Sequence, residues 1–120
     1  MPGKFEIKRA KNGEFYFHLH SGNGEIILTS EMYKAKASAK NGIASVKKNA
    51  TLDERFERRA GKNGKPFFVL KARNHEVIGR SEQYESDRSR DSGVNSVKSN
   101  APAAKIEDST KAKATKAKTA

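Results

Sequence analysis

Residues 11–21 read KNGEFYFHLHS, and residues 62–72, which lie 51 positions later, read KNGKPFFVLKA. Each segment joins a turn signal to a strand pattern, because Asn-Gly predicts a tight hairpin turn and apolar side chains alternate after it. In the first segment Phe17 and Leu19 share one face of the predicted strand, and His18 lies on the other. The recurrence of this pattern indicates an internal repeat.

The repeat extends over most of the 120-residue chain. With an offset of 51 and no gap, residues 5–50 match residues 56–101 at 20 of 46 positions. A repeat of this length is one supersecondary unit, so its interpretation decides the fold. We expect two repeats, residues 4–50 and 55–101, inside one domain of residues 1–101.

Each repeat predicts three strands followed by a helix. In the first repeat the first strand lies near Phe5. A two-residue type I′ turn at Asn12-Gly13 leads into the second strand, and the third strand lies at residues 26–28. Over residues 35–48 the apolar side chains instead recur at helical spacing. In the second repeat Ser86 is expected to cap the helix, and Asn74 to tolerate the positive φ of a turn.

The pattern therefore predicts an α+β fold. We expect a duplicated β-β-β-α unit, with antiparallel sheets, two helices packed on one side and one shared core, because a unit of about 50 residues is marginal alone. Gly42 and Gly93 recur inside the helices, which indicates a close approach to the sheet or to the other helix. The expected core consists of Phe5, Phe17, Leu19, Ile27, Ile43, Val46, Phe56, Phe68, Leu70, Ile78, Val94 and Val97.

These motifs resemble those of the YegP-like proteins, a family of tandem domains of about 50 residues. The resemblance lies in the K-N-G hairpin, in S-E-x-Y at residues 30–33 and 81–84, and in G-[IV]-x-S-V-K at residues 42–47 and 93–98. It implies a duplicated three-strand-plus-helix fold over residues 3–101. The family is one of unknown function, so the resemblance implies no activity and no catalytic residues.

The C-terminal segment differs from the repeats in composition. Residues 102–120 are mostly Ala, Lys and Thr, with Ile106 as the only large apolar residue, and we predict a disordered tail. The net charge of +11 divides into +5 for residues 1–50, +3 for residues 51–101 and +3 for the tail. This charge favours acidic partners without showing one concentrated basic face.

Composition excludes several classes of protein. The chain has no cysteine, which excludes a disulfide framework, a zinc ribbon and a thiol nucleophile. It also lacks a long apolar run and a signal-peptide pattern, so we expect a cytoplasmic protein that does not span a membrane.

No catalytic or metal constellation emerges from the motifs. His18 and His20 share a strand face, but a zinc site needs further ligands, and the second repeat has Val69 and Lys71 at these positions. The repeated Ser30 and Ser81 have no histidine base in their loops, so we interpret them as hydrogen-bonding residues of the strand-to-helix connection. We expect no cofactor or metal. Whether the protein is an enzyme stays open, with the sequence favouring a non-enzymatic role.

Two features favour a binding module for nucleic acid or another acidic partner. Cations and aromatic rings are predicted on the outer face of the sheet, where bases can stack: Lys8, Tyr16, His18 and Lys71. The tail carries lysines suited to nonspecific phosphate contacts with DNA or RNA: Lys105, Lys111, Lys113, Lys116 and Lys118.

Both features also have explanations that involve no nucleic acid. The outer face of the sheet can be covered by the other repeat or by a second subunit, and a lysine-rich tail can serve solubility alone. The alternative function is protein–protein interaction or self-association through an open sheet edge, with no nucleic-acid role. The oligomeric state is left open.

Overall fold

Four tight turns, all built alike, connect the strands of the two hairpin pairs. The computed structural model describes residues 3–110. In the first turn the N–H of Ala10 donates to the carbonyl of Glu14 at 2.8 Å, which leaves three residues in the loop. The Asn12 side-chain oxygen accepts the N–H of Glu14 at 2.9 Å, and Gly13 has a φ of 88°. The asparagine thus closes the loop, and glycine supplies the left-handed conformation.

The expected two-residue type I′ turn is therefore wrong. That turn requires positive φ at both central residues, whereas here only the third loop residue is left-handed. This pattern belongs to three-residue hairpin loops with a terminal left-handed residue. In the fourth turn the positive φ falls on His75 rather than on Asn74. Asn74 has the same role as Asn12 in the first turn, because its side-chain oxygen accepts the N–H of Glu76. The left-handed residues are Gly13, Gly24, Gly64 and His75.

The described chain forms seven strands and two α-helices. In chain order they are β1 (Lys4–Arg9), β2 (Phe15–His20), β3 (Ile26–Thr29), α1 (Lys36–Asn49), β4 (Phe56–Ala60), β5 (Pro66–Lys71), β6 (Val77–Arg80), α2 (Asp87–Asn100) and β7 (Lys105–Asp108). As predicted, Ser86 caps α2, and its side-chain oxygen accepts the N–H of Ser89 at 3.1 Å. No helix among residues 3–110 is long and apolar enough to cross a membrane.

One mixed sheet contains all seven strands, in the order β4-β5-β6-β3-β2-β1-β7. The two repeats join where β3 and β6 pair antiparallel, with Thr29 opposite Arg80. This arrangement confirms the duplicated β-β-β-α fold. The repeats share one continuous sheet instead of contributing separate antiparallel sheets, and β7 adds a parallel pairing with β1.

Both helices pack on one face of this sheet, as predicted, and the core lies between. All twelve expected core residues are buried there. Gly42 lies under the ring of Tyr33, since a Cβ at this position would lie 2.8 Å from Tyr33 Cζ. Gly93 stands in the same relation to Tyr84. The helical glycines therefore make room for aromatic rings that pack over the sheet.

The repeated serines tie each third strand to the second. Ser30 Oγ accepts the buried N–H of Phe17 at 2.8 Å and donates to the carbonyl of Glu31 at 2.8 Å. Ser81 makes the equivalent bonds with Phe68 and Glu82. The interpretation of these serines as hydrogen-bonding residues of the connection is confirmed.

The structure differs from the predicted disordered tail over residues 102–110. Ala104 is buried, and β7 pairs with β1 in parallel, with Lys4 opposite Lys105. Side chains hold the strand from both sides, because Lys4 pairs with Glu107 at 3.1 Å and Lys36 of α1 pairs with Asp108 at 2.9 Å. Composition misses this strand because backbone pairing and ion pairs order it with little apolar burial. Residues 111–120 lie outside the described part of the chain.

Candidate functional site: the open face of the sheet

Strand alternation places a second set of side chains on the sheet face opposite the helices. We call this surface the open face, because α1 and α2 both lie on the other side of the sheet, although Ser109 after β7 contacts it at Glu6. Its aromatic and polar members are half-buried beside one another, Arg80 is exposed, and Val69 is fully buried. The open face includes Glu6, Lys8, Tyr16, His18, His20, Thr29, Glu57, Arg59, Phe67, Val69, Lys71 and Arg80.

The strand register makes the open face continuous across the two repeats. His18 lies opposite Thr29, Thr29 opposite Arg80, and Arg80 opposite Val69. Within residues 3–110 neither repeat covers this face of the other, so the explanation that the other repeat buries this surface is excluded. A single row of neighbouring side chains therefore runs from β2 to β5.

The first repeat contributes a row of rings along β2. Tyr16 and His18 meet edge to face with ring centroids 5.2 Å apart, and His18 and His20 follow at 6.1 Å. Lys8 on β1 lies directly opposite Tyr16. The geometry brings a cation beside an aromatic ring on an accessible surface, which is the pairing that a stacked base and its phosphate require.

Hydrogen bonds set the charge of this half of the open face. Glu6 accepts from Ser109 Oγ at 2.6 Å and lies 3.0 Å from His20 Nε2, and these contacts lower the pKa of Glu6. Burial lowers the pKa of His18, with Lys8 and His20 adding repulsion. His18 Nδ1 lies 3.1 Å from Thr29 Oγ1. A neutral His18 thus offers a ring face without a competing charge.

The second repeat carries a different distribution of charge. The guanidinium of Arg80 lies over the Phe67 ring, 5.7 Å from its centroid. Arg59 pairs with Glu57 at 2.6 Å, and Lys71 pairs with the same carboxylate. These two cations lower the pKa of Glu57 to about 2. Glu57 therefore neutralises part of the charge of Arg59 and Lys71. Arg80 pairs with no carboxylate among residues 3–110 and lies beside an aromatic ring.

The structure places the predicted binding residues unequally. Lys8, Tyr16 and His18 are brought together on β1 and β2. Lys71 shares the open face, but its strand lies three strands from β2, about 14 Å at ordinary strand spacing. Lys105 lies exposed at the start of β7 beside Lys4. Lys111, Lys113, Lys116 and Lys118 lie outside the described residues.

Arg80 is a cation of this surface that the sequence interpretation omitted. Its place at the centre follows from the pairing of β3 with β6, which are separated by α1, β4 and β5 along the chain. A local pattern carries no signal of that long-range pairing. The offset of 51 pairs Arg80 with Thr29, and that equivalence was the one available clue to its position.

The described residues contain no cluster of three or more His, Cys, Asp or Glu that could hold a metal ion. His18 and His20 instead use ring nitrogens on Thr29, Glu6 and the carbonyl of Gly24. The chemistry that the open face offers is therefore recognition by stacking, hydrogen bonds and charge.

Comparison with known proteins identifies close relatives. A family model described as a domain of unknown function, DUF1508, matches residues 10–57 and again residues 62–108, so its second range ends with β7. A UPF0339 protein of Acinetobacter baylyi is 59% identical over 92% of this chain and 99% of its own length. A UPF0339 protein of Pseudomonas aeruginosa is 53% identical over 90% of this chain and 98% of its own.

Two solved structures share the fold. The solution NMR structure of the E. coli protein YegP, titled a protein of unknown function, has a TM-score of 0.86 and 46% identity over 91% of this chain and 94% of that one. The solution NMR structure of a UPF0339 protein from Shewanella oneidensis has a TM-score of 0.84 and 45% identity, covering 90% of this chain and 92% of that one. The similarity extends over both repeats.

Proposed function

The chain belongs to the UPF0339 family of tandem DUF1508 domains, whose function is unknown, and from its own surface we propose that it is a binding module for single-stranded nucleic acid. The observation that carries this proposal is the open face, on which rings and cations alternate across both repeats. Bases would stack on Tyr16 and Phe67, whose neighbours Lys8 and Arg80 would contact phosphates. The lysines beyond residue 110 would add nonspecific phosphate contacts.

The charges on the open face support nonspecific contacts more than sequence readout. Lys8 and Arg80 have no ion pair to a carboxylate among residues 3–110, whereas Lys71 and Arg59 have one. Stacking tolerates any base, because every base has a π-face. We therefore expect binding that prefers single strands over duplexes and depends on salt.

Fluorescence anisotropy of a labelled single-stranded oligonucleotide tests the proposal. The full chain is compared with a chain ending at residue 110, which keeps β7, and with the variants Tyr16→Thr and Phe67→Thr. Loss of one stacking ring should weaken binding about 10-fold, and Lys8→Gln should reduce the salt slope by about 0.7. Lys62→Gln, an exposed loop lysine, is the matched charge control.

Two outcomes of this experiment would contradict the proposal in whole or in part. Binding that disappears with residues 111–120 and ignores Tyr16 and Phe67 would reduce the activity to tail charge and refute a role for the open face. An absence of binding at low salt would refute the nucleic-acid proposal altogether.

The runner-up function is protein–protein interaction or self-association, and the outer edge of β4 favours it. Within residues 3–110 this strand pairs only with β5, so its other edge has free backbone groups. Its charged side chains, Glu57, Arg58 and Arg59, work against strand addition. Sedimentation equilibrium tests this function, and a strict monomer at high concentration would count against self-association.

A further inference from the structure

The duplication builds two clefts with related walls on the helix side of the sheet. The first lies between the C-terminal half of α1 and a hairpin turn of the second repeat, and the second lies along most of α2 beside a hairpin turn of the first repeat. The first, of about 480 Å³, has Ser45, Lys48 and Asn49 of α1 facing residues 72–74. The second, of about 890 Å³, has Ser96, Ser99 and Asn100 of α2 facing residues 21–23. The offset of 51 relates these walls position by position.

The two clefts carry opposite charge. Three cations line the first cleft, and neither aspartate nor glutamate does: Lys48, Arg55 and Arg73. Their counterparts in the other repeat are Ser99, Ile106 and Gly22. The second cleft is lined instead by two carboxylates, Glu25 and Glu82, and by no cation. Since the second cleft forms without these cations, the fold itself does not require them in the first.

The cations of the first cleft are not neutralised within the described residues. None of the three forms an ion pair there, and the buried Arg55 Nε–H lacks a hydrogen-bond acceptor among residues 3–110. Glu76, in the same turn as Arg73, accepts a hydrogen bond from Asn74 and is not part of the lining. A buried guanidinium N–H without an acceptor is costly, so this donor is available to an acceptor oxygen of a bound ligand.

We propose that the first cleft binds a small phosphate-bearing molecule. Three cations match the charge of a phosphomonoester or a pyrophosphate group, and the guanidinium fork suits phosphate oxygens. A volume of about 480 Å³ lies in the usual range for small-molecule sites. Leu52 and Ala72 supply an apolar wall for the rest of the ligand. This site is separate from the open face, because α1 lines it and α1 packs on the opposite side of the sheet.

NMR titration of the full-length ¹⁵N-labelled protein with inorganic pyrophosphate tests this site at constant ionic strength. We expect saturable shifts of the amides of residues 45–55 and 72–74, and of the Arg55 Nε–Hε resonance. The second cleft is an internal control, and its residues 21–23 and 96–100 should stay unshifted. Equal shifts at both clefts, or shifts that never saturate, would overturn the proposal.

Repeat-swap variants supply matched tests. Lys48→Ser and Arg73→Gly each introduce the residue of the other cleft, and both side chains are exposed, so folding should be retained. Each should weaken pyrophosphate binding about 10-fold, as expected for a lost charge-assisted hydrogen bond. Arg88→Ala, an exposed helix cation whose counterpart is Ala37, should leave the affinity unchanged. Unchanged affinity in both swap variants would refute the site.

Two further titrations define the ligand class. Citrate carries a similar charge without phosphorus, and binding as tight as that of pyrophosphate would refute phosphate selectivity. A single-stranded oligonucleotide should leave the Arg55 Nε–Hε resonance in place. If it shifts this resonance as pyrophosphate does, the cleft belongs to a nucleic-acid surface and the small-molecule proposal fails.

Discussion

Ser30 and Ser81 show how one hydroxyl can hold a connection in place. Each accepts a buried backbone N–H from the neighbouring strand and donates to the next carbonyl, so both of its hydrogen-bonding roles are filled. The bonds are the same in both repeats, and so is the surrounding S-E-x-Y motif. The motif therefore serves the fold, which explains its recurrence without any catalytic role.

Ser30→Ala should destabilise the protein by about 1–3 kcal/mol, because the buried N–H of Phe17 loses its acceptor. Urea denaturation followed by circular dichroism measures this change. Ser38→Ala is the control, since Ser38 is exposed on α1 and alanine is the better helix former. Equal stability of the Ser30 and Ser38 variants would contradict the role of this hydroxyl.

His18 should make the protein less stable in mild acid. Its pKa is lowered in the folded state by burial, with Lys8 and His20 adding repulsion, so the unfolded chain binds the proton more readily. Stability should fall as the pH drops from above 6.5 towards the folded pKa of His18. Denaturation midpoints at several pH values should decline less steeply between pH 7 and 5 in His18→Gln. A parallel decline in both proteins would refute this assignment.

At the scale of elements, β7 protects an edge that the repeats leave open. Each helix is followed by a short 3₁₀ turn and then by a strand, β4 after α1 and β7 after α2. The second family match, which ends at residue 108, includes this last strand. β7 pairs with β1 and is anchored by Lys4 and Lys36, so it closes one end of the sheet. Its removal should expose the backbone of β1.

A chain ending at residue 104 should be about 2–4 kcal/mol less stable than the full chain, because several backbone hydrogen bonds are lost. It should also self-associate through the exposed edge of β1. Chemical denaturation and sedimentation equilibrium measure the two effects. A chain ending at residue 110 retains β7 and is the control. If the two truncations behave alike, β7 contributes nothing to stability.

At the scale of the whole molecule, the two repeats depend on one another. The core is one cluster that draws residues from both repeats and both helices. The sheet joins the two halves of the chain where β3 pairs with β6, with Thr29 opposite Arg80, and again where β7 pairs with β1. Stability across this boundary therefore comes from the shared core beneath the helices together with these two strand pairings.

Residues 1–51 or 52–120 alone should not unfold cooperatively, because each half would expose its share of the core. Mixing the two halves should restore dispersed amide resonances. NMR spectra of the separate and mixed fragments measure this, with the intact chain as reference. A separate half that gives a dispersed spectrum as a monomer would show that the repeats fold independently.

The sequence by itself determined the duplicated β-β-β-α unit and its core. Both rest on local patterns: Phe17 and Leu19 alternate along a strand, Ile43 and Val46 share a helix face, and the 51-residue offset repeats them. It also predicted Lys8 and Tyr16 on one face of the sheet, because they lie on neighbouring strands of one hairpin. That Lys8 lies directly opposite Tyr16 follows from the three-residue turn, which the sequence pattern did not predict. These features need no knowledge of contacts between distant segments.

Only the tertiary structure decided the features that depend on contacts between segments distant in the chain. The junction of β3 with β6 placed Arg80 at the centre of the open face and separated Lys71 from Tyr16. The pairing of β7 with β1 ordered a segment too poor in apolar side chains to be identified by composition. The packing of α1 against the opposite repeat brought Lys48 and Arg73 to one cleft. The open face, β7 and the first cleft each bring together segments that are distant in the chain, and no local sequence pattern specifies that these segments meet.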